Sequence, residues 1–221
     1  MERVPEPELM DGLAQAEAYA AADFSVGDQA LLQRLVQLFP EGLGERLIDL
    51  GCGPGNITFR LAEQCAAAQV LGIDGAAVML QLAQARLAQA TALQGRVRFE
   101  RVCLPAPQLA GGYSALVSNS LLHHLHDPAV LWRSVRQLGA PGAAVYVKDL
   151  RRPASASAAE ALRARHLADA PAVLQRDYLA SLHAAFSPAE VQQQLREVGL
   201  DDQLQVAGLE DRYLEVWGRL R

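Results

Sequence analysis

The chain has 221 residues, of which 51% are hydrophobic and 20% are charged, as in ordinary globular proteins. This length corresponds to one or two domains and is sufficient to bury a core without disulfides or structural metals. Twenty basic residues against 25 acidic residues give a formal net charge of -5, which argues against a general nucleic-acid binder.

The first 42 residues are predicted to be helical. In the second of two segments, five apolar residues recur at helical spacing, namely Leu31, Leu32, Leu35, Val36 and Phe39. A Pro-Glu-Gly-Leu-Gly sequence at 40–44 then ends that helix. We therefore predict helices over 8–22 and 28–39, and we expect residues 1–42 to form a lid.

Residues 46–150 alternate between short apolar segments and helical patterns. This alternation predicts right-handed crossovers and a parallel sheet with helices on both faces. Strands are predicted at 46–50, 70–73, 97–103, 115–118 and, after an Ala-Pro-Gly turn at 140–142, at 143–148. Helices are predicted at 56–67, 76–92 and 128–138.

The pattern changes after residue 150. Helices are predicted at 155–168, 173–186 and 188–198, and strands at 203–207 and 213–217. The last two strands suit an antiparallel edge. We thus predict an α/β fold with a doubly wound, mostly parallel seven-stranded sheet, helices on both faces and an antiparallel edge strand. No repeat or linker divides the chain, so a single domain is expected over 1–221, with 151–187 as a helical insertion that roofs the substrate site.

A glycine-rich loop follows the first predicted strand. Gly51, Gly53 and Gly55 precede a predicted helix, and glycine there permits positive φ and a close approach of backbone to a ligand. A dinucleotide loop has its third glycine five positions after the first, where this chain has Asn56. Asp49 would repel a pyrophosphate but suits a cationic ligand with an amino group. The loop therefore favours a sulfonium amino-acid nucleoside over a dinucleotide.

On these residues the chain resembles the class I S-adenosylmethionine-dependent methyltransferases. The resemblance covers residues 46–150 and the two terminal strands. It implies a Rossmann-like methyltransferase fold and an enzyme that uses S-adenosylmethionine as methyl donor and releases S-adenosylhomocysteine. The matching segments are the loop at 49–55, Leu-Gly-Ile-Asp at 71–74 and Ser-Asn-Ser-Leu-Leu-His-His-Leu at 118–125, with weaker matches at 98–104 and 148–150.

The resemblance also implies which residues bind the cofactor. Asp74, at the end of the second predicted strand, would accept the ribose hydroxyls, with an N-cap of the following helix as its alternative role. Asp49 would lie near the amino group of the methionine moiety. The other implied cofactor-binding residues are Gly51, Cys52, Gly53, Gly75, Cys103, Leu104 and Asn119.

The end of the third predicted strand departs from the family pattern. Many members carry an acid there that contacts the adenine amino group, whereas this chain has Cys103, whose thiol is a weak acceptor. Backbone groups, or apolar packing from Leu104 and Ala76, would then have to recognise adenine. Ser114 also stands where relatives usually have an Asp, a position that is more often structural.

Three histidines follow the fourth predicted strand, where the reactive methyl group would project. His124 or His123 would serve as a substrate-facing base, with packing or hydrogen bonding at a helix start as the alternative role. No separated carboxylate or cysteine completes an obvious site with His123 and His126, so no metal is expected. Tyr19 in the lid is the third catalytic candidate. Methyl transfer depends mainly on alignment and water exclusion, so the chemistry does not require a base.

The sequence favours a small-molecule acceptor. The segment 119–128 lacks the Asn-Pro-Pro-aromatic motif of methyltransferases that act on nucleic-acid bases, and the acidic balance weakens the case for RNA. Methylation of RNA or protein and a non-catalytic cofactor-binding module of the same fold are the alternatives. The charge of the acceptor stays open, although polar residues of the insertion could face it: Arg151, Arg152, His166, Arg176, Tyr178 and His183.

Cysteine content and the N-terminus indicate the compartment. Three scattered cysteines without a CxxC pair form neither a disulfide framework nor an obvious zinc site. The acidic, proline-broken start is unlike a secretory signal, and no segment suits a membrane span. We therefore expect a cytoplasmic protein, a monomer or homodimer, with no DNA or membrane partner.

Overall fold

The computed structural model describes all 221 residues. The chain forms eight α-helices and seven strands. The strands are β1 (Arg46–Leu50), β2 (Gln69–Asp74), β3 (Val97–Arg101), β4 (Tyr113–Asn119), β5 (Gly139–Leu150), β6 (Leu204–Leu209) and β7 (Tyr213–Arg219). The helices are α1 (Leu13–Ala21), α2 (Ser25–Leu38), α3 (Asn56–Gln64), α4 (Ala77–Gln89), α5 (Ala129–Leu138), α6 (Ala156–His166), α7 (Ala172–Ala184) and α8 (Pro188–Val198).

The seven strands form one sheet in the order β3-β2-β1-β4-β5-β7-β6. Every pairing is parallel except the two made by β7, which lies antiparallel between β5 and the edge strand β6. This confirms the predicted mostly parallel α/β fold. The strand order reverses between β1 and β4, and a crevice opens beyond the carboxyl ends of strands at such a point. The functional residues predicted from the sequence follow these strand ends.

Two apolar cores cover the sheet. One joins inward residues of the strands to α5 and α8 and contains the fully buried Trp132. The other joins the opposite face to α2 and α3 and contains Leu35 and Leu61. Helices therefore cover both faces, which explains why β1 is apolar along nearly its whole length. None of the helices combines the length and the apolar character needed to cross a bilayer.

Two local predictions were wrong. The first helix begins at Leu13 rather than at residue 8, because the preceding segment makes contacts elsewhere: Val4 N donates to His183 O, and Glu8 accepts from His126 N. Pro5 and Pro7 also disfavour helix in the residues before them. The turn predicted at 140–142 lies inside β5, where Gly142 (φ +81°) donates its N–H to Leu220 O.

Ser114 links two central strands. Its hydroxyl accepts a hydrogen bond from Arg46 N and donates to Arg46 O, both at 3.0 Å. The side chain therefore holds the start of β4 against β1, at the sheet edge opposite the crevice. This is the structural role expected at a position where relatives usually have an Asp.

Candidate active site

The glycine loop joins β1 to α3 with three left-handed residues. Gly51, Gly53 and Gly55 have φ of +71°, +52° and +86°, a region that side chains disfavour. A Cβ on Gly51 would lie 2.8 Å from the Leu121 side chain, so that glycine is required for packing. A Cβ on Gly53 would have nothing within 4 Å. The backbone of Gly53 therefore borders open space that a ligand can enter.

Asp74 fastens this loop to the end of β2. Its Oδ2 accepts a hydrogen bond from Gly53 N, and its Oδ1 accepts one from Ala76 N, each at 2.8 Å. Burial raises the pKa of Asp74, although these two hydrogen bonds oppose the rise. A carboxylate has about four acceptor positions, so both oxygens keep capacity for a ligand hydroxyl. The carboxylate thus braces the loop and the start of α4 from the position predicted for ribose binding.

Asp49 lies beneath the loop rather than on its surface. Its carboxyl group is buried and accepts a 2.6 Å hydrogen bond from the Thr58 hydroxyl on α3. Burial raises the pKa of Asp49 to about 7, and the hydrogen bond from Thr58 opposes the rise. Cys52, also buried, has a pKa raised mainly by burial, so its thiol stays protonated. Sequence reasoning did not identify Thr58, which lies nine positions after Asp49.

The residues predicted for adenine meet at the carboxyl ends of β2 and β3. A Cβ on Gly75 would lie 2.9 Å from Cys103 Sγ, so these two positions are in contact. Leu104 is half-buried and packs against the core instead, and Ala76 packs on Met79. Leu9 of the N-terminal segment, which sequence reasoning missed, covers Gly75 at 2.6 Å from the same Cβ position. Asn119 ends β4 and is half-buried.

A buried pair of side chains lies where β4 and β5 end. His123 Nδ1 is 2.5 Å from Asp149 Oδ1, and the other Asp149 oxygen accepts Leu122 N. Burial alone would lower the pKa of His123, but the charge and hydrogen bond of Asp149 and the charge of Glu6 raise it. This arrangement holds Nδ1–H toward Asp149 and leaves Nε2 as the atom that faces other groups.

Glu6 completes this cluster from the N-terminal segment. Its Oε1 lies 3.5 Å from His123 Nε2, 3.3 Å from His124 Nδ1 and 3.0 Å from the Ser181 hydroxyl. The sequence offered no carboxylate for a site with His123 and His126, whereas the fold brings Glu6 beside His123 and His124, and these three side chains lie close enough to hold a metal ion. Burial raises the pKa of Glu6. Burial and His123 lower the pKa of His124 to about 3, so His124 stays neutral.

Tyr19 lies in α1 of the lid, packed on Phe24 with ring centroids 4.7 Å apart. Burial is the largest cause that raises the pKa of Tyr19 well above its usual range, and the charges of Asp28, Asp74 and Asp149 add to it. At neutral pH Tyr19 keeps its proton and can donate a hydrogen bond, but it does not act as a base.

The insertion presents fewer free charges than its sequence suggests. Arg152 pairs with Glu190 at 2.6 Å, and His166 lies 3.0 Å from Asp211. The exposed side chain of Arg176 pairs with the neighbouring Asp177. Arg151 donates to carbonyl oxygens of the β6–β7 turn. These side chains form ion pairs or hydrogen bonds with other groups at the surface, so they do not form a cationic roof over the substrate site.

Residues 48–145 match the family model described as "Methyltransferase domain". A ubiquinone biosynthesis O-methyltransferase of Bordetella pertussis is 33% identical over 113 residues, which cover 49% of this chain and 44% of the relative. A trans-aconitate 2-methyltransferase of Deinococcus radiodurans is 36% identical over 109 residues, covering 48% and 39%. The chain thus spans less than half the length of these two curated relatives.

Solved methyltransferases share the fold at low sequence identity. A SAM-dependent methyltransferase from Aquifex aeolicus has a TM-score of 0.66 and 15% identity, covering 94% of this chain and 98% of that chain. The plantazolicin methyltransferase BpumL, solved with a triazolic desmethylPZN analogue and SAH, has a TM-score of 0.69 and 15% identity, covering 95% and 90%. Residues 48–145 of this chain are thus similar to a methyltransferase domain, and the chain as a whole shares the fold of these solved methyltransferases.

Proposed function

We propose that this chain transfers a methyl group from S-adenosylmethionine to an oxygen atom of a small molecule. The main support for the proposal is the hydrogen bond from Gly53 N to Asp74 Oδ2, since it joins a carboxylate to an accessible glycine backbone at the crevice. The two curated relatives named above are an O-methyltransferase of ubiquinone biosynthesis and a methyltransferase of trans-aconitate, both named for small molecules.

The crevice suits the cofactor by the chemistry of its donors and acceptors. Asp74 would accept the ribose hydroxyls, and Gly51 and Gly53 would offer backbone to the methionine moiety. The buried Asp49 carboxyl would favour the positive charge of the cofactor amino group from beneath. Cys103 and Gly75 would border the adenine, with Leu9 as an apolar cover. When bound, S-adenosylmethionine supplies a methyl group on a positively charged sulfur.

We assign His123 the role of proton acceptor, with Glu6 and Asp149 on either side of it. An acceptor hydroxyl must lose its proton as its oxygen gains the methyl group. His123 Nε2, held beside Glu6 Oε1, would take that proton, and Asp149 would stabilise the charged imidazole. General-base assistance contributes about 10²- to 10⁴-fold in enzymes. The neutral His124 and the protonated Tyr19 would position the acceptor rather than accept its proton.

The lid and the insertion would enclose the reaction. The N-terminal residues 1–42 cross the crevice, with Gln15 on α1 bonded to Asp177 on α7 at 2.8 Å. This contact joins the lid to the insertion 151–187, which forms the proposed roof. Enclosure would exclude water and align the acceptor with the methyl group, which supplies most of the acceleration in such a reaction.

Calorimetry with S-adenosylhomocysteine tests the cofactor assignment. We expect binding to the full chain and a loss of about tenfold to hundredfold in affinity for Asp74→Ala, since charge-assisted hydrogen bonds are removed. The exposed Asp169→Asn serves as the matched control and should bind like the original protein. Unchanged affinity in Asp74→Ala would refute the ribose assignment. Incubation of the protein and donor with a metabolite extract then tests turnover, and binding without any methylated product would favour a non-catalytic module.

A further inference from the structure

Lys148 is a buried cation without a counter-ion. Its side chain lies at the carboxyl end of β5 with only 5% exposure, and its Nζ stacks 4.1 Å from the centre of the Tyr213 ring. No carboxylate pairs with it and no acceptor bonds to it. Burial is the largest cause that lowers the pKa of Lys148. A cation so placed lacks the partner that buried charges normally require.

The carboxylates nearest to Lys148 do not serve as its partner. Glu215 is bonded to Arg34 at 2.7 Å and to the Tyr146 hydroxyl at 3.2 Å. Asp28 pairs with Arg60 at 3.3 Å. Glu210 lies in the exposed β6–β7 turn, and no ion pair joins it to Lys148. Glu215 and Asp28 are therefore engaged elsewhere, and the exposed Glu210, whose charge partly offsets the fall in the pKa of Lys148, makes no ion pair with it.

Two further polar atoms in the region around Tyr213 are buried without a hydrogen-bond partner. They are the hydroxyl oxygen of Tyr178 on α7 and Nε of Arg212 at the start of β7. Such orphaned groups are rare in folded proteins and are costly when nothing pairs with them. The Arg212 guanidinium and the Lys148 ammonium both lie over the Tyr213 ring, 4.8 Å and 4.1 Å from its centre, and the charge of Arg212 lowers the pKa of Lys148. Like charges held together in a buried position are relieved by an anion.

The cluster adjoins the crevice through the carboxyl end of β5. Lys148 pairs in register with Asn119 at the end of β4, and it directly precedes Asp149, which bonds to the proposed proton acceptor His123. The unpaired donors thus stand at the side of the crevice formed by β5, β7 and the insertion.

We propose that Lys148, Arg212 and Tyr178 form a subsite that binds a carboxylate group of the methyl acceptor. The ammonium, the guanidinium Nε–H and the phenol O–H supply three donors, and the two oxygens of a carboxylate have room to accept them all. Tyr213 forms the aromatic side of the subsite. This inference rests on the proposed function, because it assigns the class of acceptor that the same crevice takes.

Titration calorimetry of the full chain saturated with S-adenosylhomocysteine tests the subsite. The probes are benzoate and succinate, with benzamide and succinamide as neutral counterparts of the same shape. We expect the carboxylates to bind and the amides not to bind. Affinity should fall about tenfold to hundredfold in Lys148→Met and in Arg212→Gln, since each removes one charged partner. The control Arg176→Gln, on the same helix as Tyr178 but exposed, should bind like the original protein.

Equal binding of carboxylates and amides, no carboxylate binding to the original protein, or unchanged affinity in Lys148→Met would each overturn the subsite. Denaturant unfolding distinguishes a loss of binding from a loss of folding. Lys148→Met should unfold at the same or a higher denaturant midpoint than the original protein, because it removes a buried unpaired charge. A lower midpoint would indicate a structural role for Lys148 and contradict the proposal. The affinity for S-adenosylhomocysteine should be unchanged in these variants. If the original protein did not bind S-adenosylhomocysteine at all, the proposed function would be refuted. Titration with the carboxylates alone would then still test the subsite.

Discussion

His123 and Asp149 form a buried pair in which Nδ1 lies 2.5 Å from Oδ1. The pair joins the connection after β4 to the end of β5, and the same carboxylate accepts Leu122 N and Leu150 N. Asp149 therefore satisfies backbone donors and fixes the orientation of the imidazole. One side chain thereby couples the local backbone to the ring that we propose accepts the proton.

Replacing Asp149 by Asn should lower the pKa of His123. The neutral amide removes the charge that, with Glu6, outweighs the opposing effect of burial. Because the folded-state pKa lies above the ordinary 6.5, protonation of His123 contributes stability below about pH 6.5, and this is lost as the pH rises through the folded pKa. NMR titration of the imidazole C–H signals measures the shift. The exposed Asp202→Asn is the control, and an unmoved His123 pKa in Asp149→Asn would contradict this account.

Replacing Asp49 by Asn should change how stability depends on pH. Burial raises the pKa of Asp49 from 3.8 to about 7, so between these values the folded state binds more protons than the unfolded state. The contribution of Asp49 therefore falls as the pH rises from about 4 to 7, at up to about 1.4 kcal/mol per pH unit. Asp49→Asn should remove this slope while its amide oxygen still accepts the Thr58 hydroxyl.

Urea unfolding at several pH values gives the slope for the original protein and for Asp49→Asn. The exposed Asp169→Asn is the matched control and should follow the original protein. Parallel curves for the original protein and Asp49→Asn would show that Asp49 titrates normally in the folded state.

Replacing Arg3 by Gln should release the N-terminal segment. The guanidinium donates to Ala184 O, His123 O and Leu125 O and lies 4.0 Å from the Phe186 ring. Loss of charged hydrogen bonds of this kind costs about 1.5–3 kcal/mol each. Hydrogen exchange at the Val4 amide, which bonds to His183 O, should accelerate in Arg3→Gln but not in Arg176→Gln. Equal protection in both variants would show that Arg3 does not hold the segment.

Cys103 should be the thiol that reports cofactor binding. It is exposed, whereas Cys52 is buried and Cys65 is half-buried with a pKa raised by burial. Iodoacetamide should therefore alkylate Cys103 first, as mass spectrometry of the peptides can show. Saturating S-adenosylhomocysteine should slow this alkylation in proportion to the fraction of occupied sites. An unaltered rate at Cys103 would place the adenine elsewhere, and the rate at Cys65 serves as the internal control.

Local sequence patterns were enough to predict the parallel sheet, the glycine loop and the position of Asp74. These features depend on residues close together in the chain: an apolar strand leads directly into glycines, and the next strand ends in an acid. Parallel strands bring their carboxyl ends to one edge, so local pattern and general topology suffice to place these groups together.

Sequence patterns could not predict which distant side chains meet at the crevice. Glu6 lies 117 positions from His123, and Arg212 lies 64 positions from Lys148, separations over which no periodic pattern operates. Charged side chains of the insertion likewise form ion pairs with other elements, as Arg152 does with Glu190 on α8. Burial and pairing depend on how the lid, the insertion and β7 pack against the sheet, and they therefore decide which charges remain free to bind a ligand.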